Sequence, residues 1–325
     1  MKMVIFMIKI NELDSILSKE VKPSKVKSSD IDLKKIDQLF KTKFSEAYQC
    51  AIKGNIIYRG DRNLTVDSAI IKPGKRKSQN TSNYYTVLIS HLLPSWKDFP
   101  KRDSSFICTT NKDQARDYAF DQARDYADYA FDKNVYHVFP ENGAKLGICS
   151  KRDFWESCNT QLKPLKIYDL PDLNDELEHF YNCIMSDVGK VAEDDVDSIL
   201  STPKKWIQFD KIVNEAFNII DKLNNSENLT AKQKRIAINL QNRNRLLFGK
   251  LYEYHQNGQS FLESLDKNLL NAQANGNSWC FIEDFLNSDE PSGEVWTDAT
   301  CLFISASTME KLINQNILDK WFEGR

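Results

Sequence analysis

The stretch Asn55-Ile56-Ile57-Tyr58-Arg59-Gly60-Asp61 decides the expected fold, because an apolar strand runs directly into an arginine and a glycine. A guanidinium at the end of a buried strand is costly to desolvate unless an anion pairs with it. Its planar fork fits a phosphate or a carboxylate, and Gly60 would let the backbone approach a ligand closely. The simpler interpretation is a surface arginine at the end of an edge strand, and this stretch alone leaves both open.

Two later stretches of the sequence bear on the choice between these two interpretations. Ser104–Asn111 reads SSFICTTN and predicts a short apolar strand that ends in hydroxyl residues. Ser292–Ser305 reads SGEVWTDATCLFIS and predicts a third strand that opens with the lone Glu294. Arginine, hydroxyl residues and glutamate in this order resemble the R-S-E signature of the ADP-ribosyltransferase family. The resemblance covers about residues 50–155 and 278–306 and does not extend to the region between them.

The resemblance implies an α+β fold, with an ADP-ribosyltransferase-like split β-sheet core, helices and a large helical insertion. The expected division is an N-terminal helical lead-in over 1–54, a catalytic core over 55–158 and 278–325, and an insertion over 159–277, where the sequence pattern is helical. Within these limits, periodicity predicts helices at 31–53, 80–93, 171–188, 205–223, 230–256, 259–274 and 307–322. A repeat, DQARDYAF at 113–120 and DQARDYAD at 121–128, predicts a further helix, and strands are expected at 134–139 and 144–149.

By the same resemblance, Arg59 corresponds to the first-strand arginine of the family and Glu294 to its catalytic glutamate. The family motif Ser-Thr-Ser falls on Cys108-Thr109-Thr110, where cysteine replaces the leading serine and donates only weakly. Ser105 or Thr109 would then orient the glutamate. Ser292 stands where members that modify arginine carry Glu or Gln, which leaves protein, RNA and DNA open as acceptors.

The function implied is a mono-ADP-ribosyltransferase that moves ADP-ribose from NAD to a macromolecule and releases nicotinamide. A carboxylate near the ribose stabilises the oxocarbenium-like charge that develops as nicotinamide leaves. The expected catalytic residues are Glu294, Arg59 and Thr109, and no metal is expected. The expected NAD-binding residues are Tyr58, Arg59, Gly60, Ser105, Phe106, Cys108, Thr109 and Thr110. The alternatives are an NAD glycohydrolase with the same pocket and a non-enzymatic interaction protein that docks through its helical block.

Composition narrows the functional class. The 325 residues carry a net charge of −2, so no global basic field indicates a nucleic-acid binder. Seven scattered cysteines and four histidines lack zinc-site spacing and predict reduced core thiols. The opening MKMVIFMIKI fits neither a signal peptide nor a membrane span. We therefore expect a cytoplasmic protein without a membrane partner. Because the chain also resembles transferase-like proteins of tailed bacteriophages, a host-cell cytoplasm and a regulatory or antitoxin-like partner are further expectations.

Several features have simpler interpretations. On base rates, Glu294 in its Pro-Ser-Gly-Glu turn is a solvated loop carboxylate. The basic loop KPGKRKSQN at 72–80 is interpreted as a solvated connector, with a phosphate contact as the alternative. His137, Trp155 and Trp296 are interpreted as core residues, and the acidic cluster at 193–197 as a solvated face.

Overall fold

The computed structural model describes residues 33–61, 63–77, 82–119, 134–187, 196, 200–242, 246–287 and 293–314. Within them the α-helices are α1 Leu33–Lys41, α2 Ser45–Ile52, α3 Asn83–His91, α4 Lys112–Ala119, α5 Phe154–Leu162, α6 Leu170–Asp187, α7 Pro203–Asn224, α8 Ala231–Asn242, α9 Leu246–Gln256, α10 Phe261–Asn268 and α11 Ala306–Asn314. The strands are β1 Tyr58–Gly60, β2 Ser68–Ile71, β3 Phe106–Thr109, β4 Val135–Pro140, β5 Lys145–Cys149, β6 Asn277–Phe281, β7 Glu294–Thr297 and β8 Cys301–Ser305. The predicted α+β class is confirmed.

Some predictions fall outside the described residues. They concern most of the 1–54 lead-in, the second copy of the repeat and the end of the last helix. The acidic residues of the 193–197 cluster and Ser292 also lie outside.

The strands form one antiparallel sheet in the order β2-β8-β4-β1-β3-β7-β5-β6, which is nearly divided in the middle. β4 pairs with β8 over five residues and β3 pairs with β7 over four. Between β1 and β3, by contrast, a single residue pair, Tyr58 with Thr109, is in register. The two strands therefore diverge beyond that pair, and the sheet consists of two four-stranded halves joined at one point.

β1 lies in the interior of the sheet, so the interpretation of Arg59 as the end of an edge strand is wrong. β1 pairs with β4 through all three of its residues, Arg59 opposite Tyr136. A Cβ on Gly60 would lie 1.9 Å from the carbonyl oxygen of Ala115 in α4. Gly60 is thus required because a helix packs directly on the strand, and the close approach expected for a ligand is made by this helix.

The helix predicted at 31–53 is two helices, because a distant asparagine caps both sides of a break. The side chain of Asn142, in the turn between β4 and β5, donates to the carbonyl of Thr42 at 2.7 Å. Its Oδ1 accepts the backbone N–H of Glu46, in the first turn of α2, at 3.1 Å. The predicted end of α2 is confirmed, since Gly54 has a φ of +103° and donates its N–H to Ala51 at 3.0 Å.

The third predicted strand, Ser292–Ser305, is also wrong as a single element. It forms β7 and β8, which lie in opposite halves of the sheet. In the connection between β7 and β8, the Thr297 hydroxyl accepts the backbone N–H of Ala299 at 3.2 Å. The Glu141 carboxylate accepts the backbone N–H of Thr300 at 3.2 Å. The chain therefore connects the two halves immediately after the strand that begins with Glu294.

Helices α6 to α10 share a hydrophobic core with one face of the sheet. Trp296 of β7 and Phe154 of α5 belong to the same buried cluster as Leu173, Phe209 and Phe261. The predicted helix 230–256 appears as α8 and α9, and residues 243–245 between them are outside the described part. None of the helices in the described ranges is both long enough and apolar enough to cross a membrane.

Candidate functional site at the centre of the sheet

The three predicted motif strands are direct neighbours. Thr109 in β3 pairs on one side with Tyr58 in β1 and on the other with Glu294 in β7. Residues 58, 109 and 294 thus form one row across the sheet, although up to 185 positions separate neighbours in the sequence. The row lies where the two halves of the sheet meet.

Arg59 bridges the opening between β1 and β3. Its Nη1 donates to the backbone carbonyl of Ile107 in β3 at 2.7 Å, beyond the last registered pair of the two strands. Nε and Nη2 both donate to Oδ2 of Asp61, at 3.2 and 3.1 Å. The guanidinium carbon also lies 5.7 Å from the ring centre of Phe106. The side chain keeps 25% of its surface exposed, so this ion pair is open to solvent.

Glu294 is a buried carboxylate, and the interpretation of it as a solvated loop residue is wrong. It is 3% exposed, and its Oε1 accepts a hydrogen bond from Nη1 of Arg102 at 2.5 Å. Burial raises the pKa of the Glu294 carboxyl above its usual range. The Arg102 charge and a backbone hydrogen bond from Phe154 lower this pKa and offset part of the effect of burial.

Arg102, which sequence reasoning missed, lies among aromatic rings. Its guanidinium carbon is 4.0 Å from the ring centre of Phe154 and 4.9 Å from that of Trp296. The residue is 4% exposed, and its buried Nε has no hydrogen-bond partner among the described residues. In the sequence it stands between Lys101 and Asp103, and no pattern separates it from these ordinary surface charges.

The hydroxyl residues do not orient Glu294 as expected. Thr109 donates to Oε1 of Gln114 at 2.8 Å and lies 3.3 Å from the carbonyl of Gly293. Ser105 donates to the carbonyl of Lys101 at 2.7 Å and closes a turn. Within the described part of the chain, the Glu294 carboxylate accepts its hydrogen bond from Arg102 instead.

Cys108, at the serine position of the motif, is buried in the core on the other face of β3 from Thr109. Burial raises the pKa of its thiol to about 12, so at neutral pH it is a protonated core residue. Thr110 follows the strand, and its backbone N–H donates to the carbonyl of Gly293 at 3.2 Å.

The side chains of Arg59 and Glu294 lie on opposite faces of the sheet. Glu294 shares its face with Trp296 and contacts Arg102, whereas Arg59 lies against Phe106. Tyr58, Thr109 and Glu294 are directly paired and therefore share one face. Because side chains alternate along each strand, Arg59, the residue after Tyr58, points to the other face. The strands therefore bring the motifs together, but they place the side chains of Arg59 and Glu294 on opposite faces of the sheet.

Arg76 is a second residue that sequence reasoning did not select. It belongs to the basic loop after β2, and its backbone N–H donates to the carbonyl of Asp103 at 2.8 Å, directly after Arg102. Arg76 is half-buried, whereas Lys72, Lys75 and Lys77 of the same loop are exposed. Burial and the positive charges of Arg102 and Arg59 lower the pKa of Arg76 to about 10, while Glu294 acts in the opposite direction.

The remaining candidates are structural. Trp296 is fully buried and donates through its indole to the carbonyl of Pro100 at 3.0 Å, as expected for a core residue. His137 is buried beside Tyr58, with 5.1 Å between ring centres. All seven cysteines are free thiols, and most are buried, as predicted. A search of the described residues finds no group of side chains suited to a metal ion.

No protein-family model, no curated protein and no solved structure gives a significant match to this chain.

Proposed function

We propose that this protein is a mono-ADP-ribosyltransferase, which transfers ADP-ribose from NAD to a macromolecular acceptor and releases nicotinamide. The row of Tyr58, Thr109 and Glu294 carries this proposal. Three motifs that resemble the R-S-E signature in sequence are adjacent in the order arginine, hydroxyl, glutamate. The near division of the sheet at this row supports the split core that the resemblance implies.

The opening between β1 and β3 is where NAD would bind in this proposal. Arg59 lies at its edge with a partly exposed guanidinium, which suits a diphosphate oxygen through charge-assisted hydrogen bonds. A dinucleotide lying across an opening in a sheet reaches groups on both faces, as the opposite directions of Arg59 and Glu294 require. Phe106, beside Arg59, offers an aromatic surface at the same place.

Glu294 would stabilise the positive charge that forms on the ribose as the bond to nicotinamide breaks. The leaving nicotinamide takes the bonding electrons, and the acceptor then bonds to the ribose carbon and loses its proton. Thr109 supports the start of β7 through its contact with the Gly293 carbonyl. Arg102 is bound to Glu294 and packs against Phe154. Catalysis therefore requires the hydrogen bond between Arg102 and Glu294 to break when NAD binds.

The decisive experiment measures label transfer from radioactive NAD to a cell lysate, with the wild type beside Glu294→Gln and Arg59→Ala. We expect Glu294→Gln to lose transfer by roughly a hundredfold or more while it still binds NAD, because the glutamine keeps the shape of the side chain but cannot stabilise the developing positive charge. Arg59→Ala should lose NAD affinity instead. Protease and nuclease digestion then identifies the polymer that carries the label.

Two outcomes separate the alternatives. Release of nicotinamide without a labelled acceptor indicates a glycohydrolase that uses the same residues. If NAD neither binds nor raises the melting temperature of the wild type, the enzymatic proposal fails and the interaction protein remains.

A further inference from the structure

We propose that Arg76 is a second phosphate-binding residue of the central site, and that with Arg59 it holds the diphosphate of a nucleotide. As a statement about NAD this inference rests on the proposed function. The preference for a diphosphate follows from the three arginines themselves. From the sequence, the loop that contains Arg76 was interpreted as a solvated connector, with a phosphate contact as the alternative.

The first ground is the placement of Arg76. Its backbone N–H is fixed to the carbonyl of Asp103, so the loop packs on the turn Arg102–Ser104 that precedes β3. Only this basic side chain of the loop between Lys72 and Lys77 is turned inward, while the three lysines are exposed. A solvated connector would leave the arginine exposed as well, since a half-buried guanidinium loses hydration.

The second ground is an excess of positive charge. Arg59 is paired with Asp61, and Arg102 is paired with Glu294. Among the described residues Arg76 forms no ion pair or side-chain hydrogen bond, although it is close enough to Arg59 and Arg102 to feel their repulsion. Three guanidiniums thus gather around two carboxylates, and a bound anion would supply the missing negative charge.

The third ground is the buried Nε of Arg102, which lacks a partner within the described part of the chain. Buried donors in native proteins are almost always hydrogen-bonded, and a lone one calls for an explanation. Arg102 is too deeply buried to contact the anion, but its charge and unsatisfied donor add to the positive potential around Arg76, which attracts an oxyanion.

These grounds favour a diphosphate over a single phosphate. Arg59 is held at the β1–β3 opening by the Ile107 carbonyl, and Arg76 is held separately by the turn before β3. Two cations fixed on different elements suit two linked phosphates. Removal of Arg76 would leave the remaining two arginines balanced by their two carboxylates.

The test is calorimetric titration of the full chain with ADP, AMP and NAD. The wild type should bind ADP more tightly than AMP. Arg76→Ala should weaken ADP binding by roughly ten- to a hundredfold, the effect of one charged hydrogen bond. Arg76→Lys should restore part of the loss, and the matched control Lys75→Ala, an exposed cation of the same loop, should stay within about twofold of the wild type.

Folding is checked on the same samples. Since Arg76 has no ion pair among the described residues and is repelled by two arginines, Arg76→Ala should melt no lower than the wild type without ligand. Unchanged ADP affinity in Arg76→Ala, or a wild type that does not prefer ADP to AMP, overturns the inference. Tight ADP binding that depends on Arg76, without NAD binding, supports the diphosphate site and rejects the transferase.

Discussion

Two arginine–carboxylate pairs lie at the centre of this sheet, on opposite faces of it, and their surroundings differ. Arg59 and Asp61 are about a quarter exposed and face the opening between β1 and β3. Arg102 and Glu294 are almost completely buried beneath Phe154 and Trp296. An open pair contributes little to stability and exchanges partners readily, whereas breaking a buried pair leaves a charge without water or counter-ion.

This difference in exposure indicates which of the two pairs can accept a ligand without a buried contact being broken. An anion can compete with Asp61 for Arg59 at small cost, which favours phosphate binding on the arginine side of the proposed site. The carboxylate side is closed, because Glu294 is buried and bound to Arg102. Any chemistry at Glu294 therefore includes a change in its contacts, while binding at Arg59 and Arg76 does not.

The largest expected effect comes from breaking the buried pair. Arg102→Met should lower the free energy of unfolding by about 3–5 kcal/mol, because Glu294 then stays buried without its counter-charge. Chemical denaturation measures this change. Arg102→Met combined with Glu294→Met should recover most of the loss, since no unpaired charge remains.

The matched control is Arg152→Met, which removes an arginine from an exposed pair with Asp117 and should leave the stability nearly unchanged. If Arg102→Met is as stable as this control, Glu294 and Arg102 are not coupled in solution. The contrast between the buried and the open pair would then disappear.

A smaller effect concerns pH. Because burial raises the pKa of Glu294, the folded protein holds this proton to a higher pH than the unfolded chain does. The contribution of this bound proton to the stability of the fold is complete below pH 4.5, the ordinary pKa of a glutamate. It is lost as the pH rises through the raised pKa of the folded protein. Glu294→Gln cannot lose a proton, so its stability relative to the wild type should increase with pH above 4.5.

Denaturation of both proteins in a pH series tests this, and the difference between them cancels the contributions of other groups. If the stability of Glu294→Gln relative to the wild type decreases with pH, the charge of Arg102 lowers the pKa of Glu294 by more than burial raises it. The buried pair would then resemble the open one, in which the charged form of the carboxylate is favoured.

The sequence predicted the parts of the site that depend on short-range pattern. Apolar runs identified the strands of Arg59 and Thr109, and the position of Glu294 at the start of a strand was expected. Gly54 marked the end of α2 because a positive φ favours glycine. Each of these inferences uses only neighbours along the chain.

The remaining features depend on contacts between distant segments. Asn142 divides the first predicted helix from about a hundred positions away, and no local signal reports this. Arg102 acquires its role from Glu294 and from the rings of Phe154 and Trp296, which folding brings to it. Arg76 differs from its exposed loop neighbours only because its backbone is bonded to Asp103. Composition does not distinguish such residues from ordinary surface charges.

The smallest expected effect tests the open pair directly. Asp61→Asn keeps the side-chain oxygen that accepts the N–H of Asn63 at 3.0 Å but removes the charge opposite Arg59. Stability should change by about 1 kcal/mol or less. ADP should bind roughly two- to fivefold more tightly, because phosphate no longer competes with a carboxylate for the guanidinium.

The matched control for Asp61→Asn is Asp37→Asn, which removes an equal charge from the exposed pair with Lys41 on α1. Any gain in ADP affinity there reflects net charge alone and should vanish at high salt, where exposed charges are screened. The gain for Asp61→Asn should persist in part, since Arg59 is only a quarter exposed. Equal behaviour of the two variants would mean that Arg59 does not contact the phosphate, and Arg76 alone would then account for anion binding.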